Sequence, residues 1–136
     1  MKKTLVVNIL SLLASLLFPL TALLGMLLGQ VTIRMFSAVF SYQSGIGQIG
    51  GEFVFFTFSG YCAGYLSAFV IAKVFKNFNL NFALIIPVLV MIYFGYENIL
   101  AASKVSISFL INSLARDLAM LVTYYYILKD YSLSKD

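Results

Sequence analysis

A bundle of four transmembrane helices is the fold class this sequence predicts, and three observations predict it. Hydrophobic residues make up 62% of the 136, charged residues only 10%, and the mean hydropathy is +0.99. A soluble domain carries about 25% charged residues to cover its surface, and nine basic with five acidic residues cannot do that. No charge occurs in residues 4–33, 53–72 or 77–96. Uncharged apolar runs of this length match the ~20 residues a helix needs to cross ~30 Å of hydrocarbon. The charges that remain sit mostly at the ends of those runs, where headgroups and topology account for them.

The first span covers about residues 5–28. It follows Lys2 and Lys3 as a signal peptide would, but its apolar run from Leu5 to Leu28 exceeds the ~7–15 residues of a signal h-region. It is therefore expected as a membrane helix. Pro19 lies inside it and removes the backbone bond to the Ser15 carbonyl, leaving an acceptor at membrane depth.

The segment 30–48 comes next. Gln30, Arg34, Ser37, Ser41, Ser44 and Gln48 recur at spacings of three and four, with Ile33, Phe36, Val39 and Phe40 on the other side. That period predicts an amphipathic helix lying in the outer interface or extending the first span. Gly45, Gly47, Gly50 and Gly51 then provide a flexible link.

The second span, about 52–75, opens on Glu52 and closes on Lys73 and Lys76. A carboxylate suits the positive end of a helix. Gly60, Gly64, Ala68 and Ala72 repeat every four residues, beside a row of Ser59, Ala63 and Ser67. Such a face permits close approach of two helices. Gly25 and Gly29, with Thr21 one turn before, repeat the spacing in the first span. Packing of these two spans within one chain is the simplest account, and a homodimer seam is the alternative.

The third span, about 80–100, contains Pro87, which frees the Ala83 carbonyl. Glu97 lies near its outer end, one turn after Tyr93. A tight turn over 101–104 leads into the fourth span, about 105–128. Lys2, Lys3, Lys73, Lys76, Lys129 and Lys135 fall on one side, Arg34 and Lys104 on the other. The positive-inside rule then puts both termini in the cytoplasm. It also puts Tyr124, Tyr125 and Tyr126 at the inner interface, with Tyr93 and Tyr96 near the outer one.

Chemistry concentrates at Arg116 and Asp117, mid-span in the fourth helix. An Arg at bilayer depth costs at least ~2.5 kcal/mol and normally faces a bundle interior with a partner. Adjacent residues are about 100° apart on a helix, so these two are not expected to pair along one stripe. Ser108, Asn112, Arg116, Ala119 and Thr123 form one polar or small stripe, with Ser113 and Asp117 beside it. The face serves either as an ion pathway or as a buried cluster that fixes packing or docks another subunit. Counting from the turn sets Arg116 level with Ser15 to Pro19, which makes it a candidate donor to the freed Ser15 carbonyl. Glu97 is too far along the axis for a direct bridge to it. Lys104 and Arg34 are its nearer partners.

No catalytic motif occurs, neither HExxH nor G-x-S-x-G nor a phosphate-binding loop, so an enzyme is not expected. With no His and only Cys62, neither a metal site nor a cofactor is called for. The basic residues form no patch for nucleic acid. The segment Gln30-Val31-Thr32-Ile33-Arg34-Met35-Phe36, followed by Glu52, resembles the small four-helix membrane subunit of tripartite ATP-independent periplasmic transporters. The likeness covers about a quarter of the chain, without that family's tryptophan and paired acidic residues, and assigns no membership. It implies an auxiliary subunit bound to a larger transport subunit.

The expected function is therefore that of a non-catalytic subunit in a larger transport-type membrane complex. Its partners would be the bilayer and other subunits or further copies, and its place a cell membrane, the bacterial inner membrane. A self-sufficient small channel using Arg116 and Asp117, and a holin-like or bacteriocin-immunity protein, are the alternatives.

Overall fold

The protein is described by a computed structural model over residues 2–39, 46–75, 77–100, 104 and 106–133. Among these residues the regular elements are all helices: α1 (Lys2–Ser15), α2 (Phe18–Val39), α3 (Ile46–Val74), α4 (Leu80–Leu100) and α5 (Ile107–Leu133). Among the described residues four stretches are long and apolar enough to cross a membrane: Lys3–Met35, Gly50–Val74, Leu80–Leu100 and Ile107–Ser132.

The first of these stretches is two helices rather than one. Pro19 lacks an N–H and its ring conflicts with the carbonyl four residues earlier, so the α-helical ladder stops short of it. Leu16 and Leu17 bridge the gap with tight bonds to the Leu13 and Ala14 carbonyls at 3.2 and 3.0 Å. Pro19 then falls in the first turn of α2, where a missing donor costs nothing.

The segment 30–48 is divided between two helices. Residues 30–39 continue α2 without a break, because the three–four spacing of Gln30 and Arg34 is in phase with the helix before it. Residues 46–48 begin α3, and 40–45 lie outside the described residues. Similarly, α5 starts at Ile107 and runs to Leu133, displaced from the expected 105–128. Lys104 occupies a turn, while Ala101, Ala102 and Ser103 lie outside the described residues.

The starts of α4 and α5 are capped by the residues just before them. Asn79 Oδ1 accepts from the Asn81 N–H at 3.1 Å at the head of α4, and Ser106 Oγ accepts from the Phe109 N–H at 3.2 Å at the head of α5. Asn79 also ties α4 to α1, donating its N–H to Ser11 Oγ at 2.7 Å and its amide to Asn8 Oδ1 at 3.0 Å.

Helix α3 is the centre of the bundle, packed against α2 on one side and α5 on the other. Thr21 lies against Ser67, Gly25 against Ala63 and Gly29 against Ser59, so α2 and α3 are antiparallel. Gly60 lies against Arg116 and Gly64 against Met120, so α3 and α5 are parallel.

The core gathers near the end of the bundle that holds the start of α4. Tyr124 is fully buried there, its ring edge-on to Phe18 with centroids 5.0 Å apart. Its hydroxyl donates to the Ala83 carbonyl at 3.0 Å, the acceptor that Pro87 frees in α4. The expectation of a tyrosine belt over 124–126 is therefore corrected at Tyr124, because an orphan carbonyl inside the bundle binds its hydroxyl more strongly than the interface does. Tyr126 alone of the three is well exposed, at 64%. Tyr124→Phe is expected to cost about 1–3 kcal/mol, the penalty of an unpaired buried acceptor. Pro87→Ala restores a helix N–H to Ala83 and should make Tyr124→Phe close to harmless. Unfolding midpoints of the two single variants and the double variant measure this coupling.

Candidate functional site

Helix α5 turns three polar residues of its first half inward. Asn112, Ser113 and Asp117 are buried in line with Met120, Tyr124 and Leu128. Ile111, Leu114, Leu118 and Val122 are exposed on the opposite face. This is a helical period with the polarity of a soluble protein reversed, as a helix in lipid requires.

Arg116 and Asp117 pair directly although they do not share one stripe of the helix, which corrects the expectation that the stripes keep them apart. The guanidinium places Nε at 2.8 Å and Nη2 at 2.8 Å from the same carboxylate oxygen, Asp117 Oδ1. The 100° between their Cβ atoms is overcome by the length of the Arg stem, which curls round the helix. With Arg116 engaged in this way, its partner is the next residue, not the Ser15 carbonyl. Its depth differs too. The Gly60 contact with Arg116, read with the Gly29–Ser59 contact, sets Arg116 level with about Leu28, well beyond Pro19. The count from the turn failed because α2 runs on for several turns past its expected end. The pair is neutral as a unit, and its side chains are 22% and 8% exposed.

Among the described residues, Glu97, Glu52 and Lys104 do not join it. Glu97 is exposed on α4, with no ion-pair partner among the described residues. The Tyr124–Ala83 contact fixes the register of α4 against α5 and leaves Glu97 about six residues, or ~9 Å, from the level of Arg116. Glu52, Arg34 and Lys104 also have exposed side chains.

The small residues divide the work differently from what their spacing suggests. Gly25 and Gly29 pack on α3, but on the row of Ser59, Cys62 and Ala63. A Cβ on Gly25 would lie 2.5 Å from Ala63 Cα, and one on Gly29 would lie 2.8 Å from Ser59 Cα. Gly60 and Gly64 face α5 instead, their Cβ positions occupied by the carbonyl oxygens of Arg116 and Met120. Ala68 continues in the buried core. Across the α2–α3 seam, Thr21 donates to Ser67 Oγ at 2.9 Å, and Ser67 donates to the Ala63 carbonyl at 2.7 Å.

Thr57 does not stand out in the sequence pattern. Its Oγ1 and Ser113 Oγ are buried with no hydrogen-bond partner among the described residues. The signal is there nonetheless: Thr57 stands three residues before Gly60, on the same small-residue face. Among the described residues no group of three His, Cys, Asp or Glu is placed to hold a metal ion. Chemically, the arrangement is a self-neutralised ion pair flanked by neutral polar groups. Compared with known proteins, the chain matches no family model, no curated protein and no solved structure.

Proposed function

We propose that the chain is a non-catalytic integral membrane subunit of a larger, transport-type complex, docking through α4. The observation that carries this reading is the burial of the four apolar stretches. The α4 stretch is 11% buried, against 39%, 39% and 28% for the others. Its half beyond Pro87 leaves Leu89, Ile92, Tyr93, Phe94, Tyr96 and Ile99 exposed, together with Glu97. A carboxylate among exposed aromatic rings near a membrane boundary fits a basic group on a neighbouring helix. The orientation that suits the lysines puts both termini in the cytoplasm and this surface toward the outer boundary.

A conduction path within one chain fits less well. Between α3 and α5 the backbones are in contact at Gly60 and Gly64, and the Arg116 and Asp117 charges are spent on each other.

Photocrosslinking in the source membrane tests the proposal. A photoreactive residue in place of Tyr96 is expected to give an adduct heavier than a dimer of the 15.1 kDa chain, and one in place of Leu118 is not. Adding Glu97→Lys should cut the adduct at least tenfold. Adducts confined to self-dimers, or ion flux from the purified chain alone in liposomes, would overturn the reading.

A further inference from the structure

We infer that α3 and α5 hold a water molecule between Thr57 and Ser113. A hydroxyl inside a helix ordinarily satisfies itself on a carbonyl of the preceding turn. Ser11, Ser15, Ser59 and Ser67 do so, bonding the Val7, Leu12, Phe56 and Ala63 carbonyls at 2.6–2.8 Å. Thr57 Oγ1 and Ser113 Oγ depart from that pattern, and Ser113 is only 1% exposed.

The register places the two together. Gly60 meets Arg116 and Gly64 meets Met120, a constant offset between parallel helices. One turn back along both, the same offset sets Thr57 beside Ser113. Contacts between the same two helices bracket the position along the axis. The Gly60–Arg116 backbone contact bounds it in one direction. In the other, Phe56 and Phe109 meet edge to face with centroids 6.1 Å apart.

The charge of the surroundings selects the occupant. Arg116 and Asp117 cancel, so neither a cation nor an anion finds a net counter-charge. Two hydroxyls, each able to donate and accept, suit a small neutral molecule that also does both. A buried water makes about three hydrogen bonds. The buried Asn112 and Asp117 flank the spot on α5. Arg116 Nε and Nη2 both converge on Asp117 Oδ1.

The test uses the full chain in detergent, with Thr57→Val, Ser113→Ala, the double variant, and Thr57→Ser as the hydroxyl-keeping control. Each single loss is expected to lower the unfolding midpoint by a few degrees, and the double variant to lower it by less than the two together. The infrared difference between wild type and the double variant should contain an O–H stretching band that shifts on exchange into ¹⁸O water. Thr57→Ser should keep that band. Higher midpoints in the single variants would mean dry, unpaired hydroxyls and overturn the inference. Lower midpoints without the isotope-sensitive band would overturn it too, since the hydroxyls would then bond to protein atoms alone.

Discussion

Gly60→Ala is expected to be the most damaging single methyl that can be added to this chain. Its Cβ falls on the Arg116 carbonyl oxygen, with the Arg116 carbonyl carbon 2.9 Å away. Both sides of the contact are backbone, so no side chain can swing aside and two helices must part. Elsewhere in a helix, Gly→Ala gains up to ~1 kcal/mol in propensity, whereas overpacking a close contact costs about 1–3 kcal/mol and sometimes more. A net loss of about 3 kcal/mol is expected at Gly60. Gly64→Ala should behave similarly, against the Met120 carbonyl and the Thr123 side chain at 3.0 Å. At Gly50 and Gly95 an added methyl would meet nothing within 4 Å, so Gly→Ala there should be neutral or slightly stabilising. Unfolding midpoints of the four purified variants measure the contrast. Equal midpoints at Gly60 and Gly95 would contradict the α3–α5 contact.

The second large effect concerns the ion pair, and it is expected to be asymmetric. Arg116→Leu strands Asp117, whose side chain is 8% exposed, as an uncompensated buried charge. Breaking such a pair from one side costs about 3–5 kcal/mol. Asp117→Leu strands Arg116 instead, but its side chain is 22% exposed and its long stem lets the guanidinium reach toward a polar boundary. That loss should be the smaller of the two. The double Leu variant removes both charges and should return most of the stability, since apolar replacements of buried pairs are often neutral or better. A double-mutant cycle on unfolding midpoints reads the coupling directly. Additive losses would mean that the two side chains do not act as a pair.

These effects show which parts of the molecule were legible in the sequence. The Ala83 acceptor was legible because proline chemistry is local: Pro87 frees a carbonyl wherever the helix packs. Its donor was not, since Tyr124 arrives from another helix and its own neighbours resemble an interfacial belt. The small-residue rows of α3 were readable as surfaces for close approach. Two such rows lie side by side, however, and residue size alone does not say that Ser59 and Ala63 take α2 while Gly60 and Gly64 take α5. Pro19 signalled the break at Leu16–Leu17, but the apolar run continues through it and so read as one span. The Arg116–Asp117 pair was hidden from reasoning on Cβ directions, which hold for short side chains and fail for an arginine.

Helix α3 has a consequence for the order of assembly. Its antiparallel neighbour α2 immediately precedes it, so that contact forms as soon as the hairpin is made. Its parallel neighbour α5 lies beyond a whole further crossing, because two helices running the same way need a return path between them. The Gly60 and Gly64 surface therefore waits uncovered while α4 is threaded, and it closes only when α5 follows. The tightest seam thus joins segments remote in the chain, and of its two partners α5 is the last helix to be made.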